Sequence, residues 1–136
     1  MLGFIPAHSS NSFAIVNANG SVSPIAGPKP AFPGNATCWV AKGLGNVWYT
    51  GNSPAQAISV FFSDDLGGVF YRSVSLPGVP IDVAVSADQK WLVAIYTNSG
   101  SGYVAAFRIN AYGDITLAAT SSPMGSPAFN GVAVSQ

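Results

Sequence analysis

The chain has 136 residues, of which 49% are hydrophobic and only 7% charged, with five basic side chains balancing five acidic ones. Its length and apolar content suffice for one buried core, and its aromatic content argues against disorder. A net charge of zero leaves no electrostatic footprint for nucleic acid or an anionic membrane surface, and no apolar run reaches the ~18 residues of a membrane span.

In chain order, Met1 to Pro6 carries no basic flank and too short an apolar stretch for a signal peptide. His8 follows in a Pro/Ser-rich lead-in with no carboxylate or serine partner apparent, which reads as a solvated loop histidine. Phe13 to Pro24 reads as the end of one sheet unit, with the turn Asn17-Ala18-Asn19-Gly20 inside it. Residues 36 to about 76 form a second unit and 80 to about 122 a third, and 129–136 opens a further one. In the third unit Ile81–Ser86, Trp91–Tyr96, Tyr103–Asn110 and Ile115–Thr120 are short and rich in Val, Ile, Phe, Tyr and Thr. Turn clusters of Asp, Asn, Ser and Gly separate them. No window holds a helical period, and 15 glycines and 10 prolines punctuate the chain.

The units repeat. Ala57-Ile58-Ser59-Val60-Phe61 recurs as Tyr103-Val104-Ala105-Ala106-Phe107, about 46 residues later, which is the length of a four-stranded propeller blade. Asn17-Ala18-Asn19-Gly20 returns at about twice that spacing as Asn110-Ala111-Tyr112-Gly113, and Val83-Ala84-Val85-Ser86 returns as Val132-Ala133-Val134-Ser135. The fold class is therefore all-β, a partial β-propeller of about three four-stranded antiparallel blades.

Candidate site residues are few. Asp82 starts an innermost-type strand, and Trp39 and Asn130 hold the corresponding place in adjacent units. Together they form a candidate polar patch at a channel mouth, with Asp82 alternatively tying down a turn through backbone N–H groups. Ser63-Asp64-Asp65-Leu66-Gly67-Gly68 lacks the alternating oxygen ligands of a calcium loop and reads as a hairpin turn. Gly43-Leu44-Gly45 has no helix after it to hold a phosphate. Cys38, the one cysteine, has no internal partner, and no Cys/His spacing predicts a metal site. No cofactor is implied. Trp48, Trp91, Tyr49 and Tyr96 read as packing between blades. Asn19 and Asn35 begin sequons, which with the low charge lean toward a secreted or cell-wall parent.

The segments Ala36-Thr37-Cys38-Trp39-Val40-Ala41 and Pro80 to Leu92, with Tyr103 to Ile109 and Gly113-Asp114-Ile115-Thr116, resemble the last blades of lactonase-like seven-bladed propellers. That family includes 6-phosphogluconolactonase-type and fungal 3-carboxy-cis,cis-muconate cyclase-like proteins. The resemblance covers about 35–136 and implies His, Glu and Arg around a central channel. The chain has no Glu and a single His, so no catalytic residue is carried over.

Three functional classes follow. The chain is a non-catalytic scaffold or interaction module, a fragment of a longer propeller; or a piece of a lactone hydrolase or cyclase with its catalytic groups elsewhere; or a glycan-binding propeller stacking sugars on an aromatic such as Trp48. Open strand edges and apolar terminal faces lead to self-association, with two chains completing a ring as one form of it.

Overall fold

A computed structural model describes residues 2–6, 10–24, 29–30, 37–64, 67–125 and 131–135. The described residues form strands and turns and no helix. A first sheet contains β1 (Leu2–Pro6), β2 (Ser10–Val16), β3 (Val22–Pro24) and β4 (Lys29–Pro30), in the order β1-β2-β3 with β4 also on β2. A second runs β5 (Thr37–Lys42), β6 (Val47–Asn52), β7 (Ala57–Asp64), β8 (Gly67–Ser75). A third runs β9 (Val79–Val85), β10 (Trp91–Asn98), β11 (Ser101–Ile109), β12 (Ile115–Thr120). Every pairing is antiparallel, and in the second and third sheets it joins consecutive strands, the arrangement of a propeller blade, whereas in the first β4 pairs back with β2.

The repeat is visible in the hydrogen bonds. Gly43 N–H donates to Val47 O at 2.9 Å, and Ser86 N–H to Trp91 O at 2.9 Å. Ser63 N–H donates to Asn46 O and Ile109 N–H to Lys90 O, both at 2.8 Å. Val47 therefore corresponds to Trp91, and Tyr49 to Val93. Both outermost pairs also bulge at one place, between Val60 and Phe61 and between Ala106 and Phe107.

Alternation sorts the side chains of each strand onto two faces. In β10, Leu92, Ala94 and Tyr96 point into the core, as do Ala105 and Phe107 of β11. They meet Tyr49, Ile58 and Val60 of the second sheet. The opposite face of the second sheet is more polar, with buried Thr50, Asn52 and Ser59 beside Trp48 and Phe61. Because Ala94 is fully buried while its neighbour Val93 is half-buried on the other face, Ala94→Glu is expected to unfold the chain and Val93→Glu to leave it folded. Far-ultraviolet circular dichroism distinguishes the two outcomes.

The second and third sheets are latched at their outer ends. The hairpin between β11 and β12 closes with Gly113 N–H on Asn110 O at 3.0 Å, and Asn110 Oδ1 accepts the N–H groups of Tyr112 and Asp114. Across the interface the Tyr49 hydroxyl donates to Gly113 O at 2.7 Å. Arg72 reaches the same turn through Nε to Asp114 Oδ1 at 2.6 Å and through Nη2 to Ile115 O at 2.7 Å.

Candidate functional site

The inner strands β5 and β9 each carry a one-residue bulge. In β5, Cys38 and Val40 face Gly51 and Thr50, which leaves Trp39 unpaired in the ladder at φ 50° and 36% exposed. A bulge re-aims a side chain, and a tryptophan held at positive φ stores backbone strain that its surroundings must offset. In β9, Pro80 and Asp82 face Tyr96 and Ile95, with Ile81 skipped. Asp82, half-buried, accepts the N–H of Val83 on Oδ1 at 2.8 Å and the N–H of Val132 on Oδ2 at 2.9 Å. Its carboxylate thus ties the 131–135 segment to the third sheet. Asn130 lies outside the described residues, as do His8, Asn35 and Asp65.

Asp82→Ala is expected to release this tether. Amide exchange at Val132 should accelerate about tenfold or more, since hydrogen bonds to charged groups are worth about 1.5–3 kcal/mol. Unchanged exchange would show that something else holds the segment.

The other polar candidates fall into local roles. Asn19 is exposed in the turn between β2 and β3, where its Oδ1 accepts the Ser21 N–H at 3.0 Å and hydroxyl at 2.7 Å. Gly43 to Gly45 lies in the β5–β6 hairpin, with Lys42 Nζ donating to Gly45 O at 2.7 Å. Asp64 pairs with Gly67 in the β7–β8 ladder. Cys38 is half-buried and unbridged. Among the described residues no three His, Cys, Asp or Glu side chains are grouped as metal ligands.

The sequence offers two readings of Trp48, a packing residue and a sugar platform, and its burial goes against the second. Trp48 is buried, not presented to a sugar: it is 6% exposed, and its indole N–H donates to Ser63 Oγ at 3.0 Å. The cause is its place on the face of β6 that packs with Phe61, Val40 and Phe70.

One concavity lies where the sequence offered no motif. A groove of about 630 Å³ runs over the outward face of the third sheet, floored by Trp91, Val93 and Ala106 and bordered by Val134. Ser86, Ala87 and Asp88 close one end. Asp88 holds that end in shape by accepting the Ser86 hydroxyl at 2.6 Å and the Lys90 N–H at 3.1 Å. These bonds, the Ser86 hydroxyl first, keep its carboxyl below the ordinary range. Arg108 lies over the Trp91 ring, 5.1 Å from its centroid. The groove has an apolar floor, with Ser86, Asp88 and Ser135 as the polar groups in its lining.

Neither a protein-family model nor a curated protein matches the chain. Solved structures do. A functionally unknown protein from Desulfotomaculum acetoxidans superposes with a TM-score of 0.71 at 14% identity, over 84% of this chain and 35% of that one. A protein from Lactobacillus plantarum superposes with a TM-score of 0.63 at 15% identity, over 89% of this chain and 37% of that one. The likeness is one of fold. This chain spans little more than a third of the length of each.

Proposed function

We propose that the chain is a non-catalytic interaction module, a lactonase-like set of propeller blades whose outward face takes up a further sheet. The observation that carries this reading is the apolar groove floored by Trp91, Val93 and Ala106. Within the chain, the corresponding face of the second sheet is covered by the third, and the residues equivalent to Trp91 and Val93, namely Val47 and Tyr49, are buried. A face of the same construction left open is a surface for docking rather than for catalysis. The two superposed structures support it too, since each carries a chain well over twice as long, with room for more sheets.

The test is a continuous titration of acid release from phosphorylated sugar lactones and carboxylated muconolactones, with Asp82→Asn as control. No rate above buffer is expected. Ring opening that disappears in Asp82→Asn would overturn the non-catalytic reading and restore the lactonase alternative.

A further inference from the structure

The chain contains the docking turn twice, once seated and once bare. Asn110 N–H donates to Asp114 O at 2.9 Å and Gly113 N–H to Asn110 O at 3.0 Å, with Gly113 at φ 80°. In the first sheet Asn17 N–H donates to Ser21 O at 2.9 Å and Gly20 N–H to Asn17 O at 3.0 Å, with Gly20 at φ 82°. The two turns are the same object built from the same Asn-Ala-x-Gly pattern. Their surroundings differ. A Cβ on Gly113 would lie 2.4 Å from Val47 Cγ2, whereas one on Gly20 would meet nothing within 4 Å. Residues 17–21 are all exposed.

The backbone positions of the seat also occur twice, with Val93 in place of Tyr49 and therefore without its hydroxyl. The Asn110–Asp114 turn rests on Val47 and Tyr49, and their equivalents on the third sheet, Trp91 and Val93, floor the open groove. The bare turn is uncharged, so it brings no ion of its own into the groove, whose floor is apolar and whose charges, Asp88 and Arg108, stand at its border.

The strand ladders show the same complementarity. In the second and third sheets an inner strand, β5 or β9, pairs with the next, β6 or β10. In the first sheet β1 leads through β2 into the Asn17 turn as β10 leads through β11 into the Asn110 turn, yet β1 is an edge strand among the described residues. Meanwhile Val132-Ala133-Val134-Ser135 repeats Val83-Ala84-Val85-Ser86 around the end of the inner strand β9, and Asp82 holds it at the rim of the groove. Among the described residues the first sheet shows no strand beyond β1, and 131–135 carry an inner-strand sequence outside the three sheets.

We infer that a second copy of this chain fills the groove. The copies join head to tail: residues 131–135 of one add antiparallel to β1 of the other, whose Asn17–Ser21 turn seats on Trp91, Val93 and Ala106. The same joint made reciprocally closes a two-chain ring with three sheets from each copy. A head-to-tail contact gives a closed ring when the rotation closes. The inference rests on the interaction reading above and names its partner.

Light scattering after size exclusion of the full chain, over a range of concentrations, tests it. The expected mass is twice 13.9 kDa. Ala18→Arg on the exposed turn and Val93→Glu in the groove should each weaken the dimer at least about a hundredfold, because each forces a charge into an apolar joint. Both should keep the wild-type circular dichroism, and the exposure of Ala18 makes its effect independent of folding. A wild type at 13.9 kDa throughout, or a dimer that survives both substitutions, overturns the joint. Either result leaves the interaction reading to the lactone titration, so the two failures are distinguishable.

Discussion

Gly113→Ala is expected to destabilise the chain by about 3 kcal/mol, while Gly20→Ala costs about 1 kcal/mol. Both glycines sit at nearly the same positive φ, 80° and 82°, so the backbone cost of adding a Cβ is shared. The remainder is contact. At Gly113 the new methyl would overlap Val47 Cγ2 and would also come within 3.1 Å of Val47 Cβ and Cγ1, all on the second sheet. Val47 is buried and packed into the core, so the turn must lift and loosen the Tyr49 and Arg72 bonds that converge on it. Urea unfolding of both variants in the Ala18→Arg background removes any contribution from association. Equal losses at the two positions would mean that the turn yields without strain and that the latch is unimportant to stability.

Tyr49→Phe should cost about 1–2 kcal/mol at neutral pH and remove much of the alkaline instability of the chain. The substitution keeps the ring in place but leaves Gly113 O without its donor inside a buried interface. The pH effect follows from the hydroxyl. Burial, and secondarily the negative charge of Asp114, push it up to about 12. An unfolded tyrosine ionises near 10, so between about pH 10 and 12 the unfolded chain loses this proton while the folded one retains it. Stability from this group is therefore complete below about pH 10 and declines as pH rises toward 12. Tyr96, also raised chiefly by burial, contributes to the same slope, so Tyr49→Phe should flatten the decline rather than abolish it. An alkaline limb of undiminished steepness in the variant would assign the effect to other groups.

Much of the architecture was legible from local chemistry. The four strands of the third unit read as Ile81–Ser86, Trp91–Tyr96, Tyr103–Asn110 and Ile115–Thr120, and the structure places them at Val79–Val85, Trp91–Asn98, Ser101–Ile109 and Ile115–Thr120. Branched and aromatic residues between Asn/Gly turns determine such strands from their own neighbours. The groove was not legible. Val93 and Ala106 are ordinary strand residues, and which of the two faces of a strand is covered depends on the next sheet.

What the sequence by itself determined is the repeating unit: four short strands, their turns, and one turn written twice as Asn-Ala-x-Gly. Only the tertiary structure decided what each element touches. Asp82 meets Val132, 50 residues away, and Tyr49 meets Gly113, 64 residues away. Trp48, read both as a packing residue and as an alternative sugar platform, is covered because its face of β6 packs inside. Local propensity specifies backbone shape within a few residues, whereas the partner of a side chain is set by sheets that meet only on folding. So two turns alike in sequence and geometry end in different states: one pressed onto Val47 and Tyr49, the other bare.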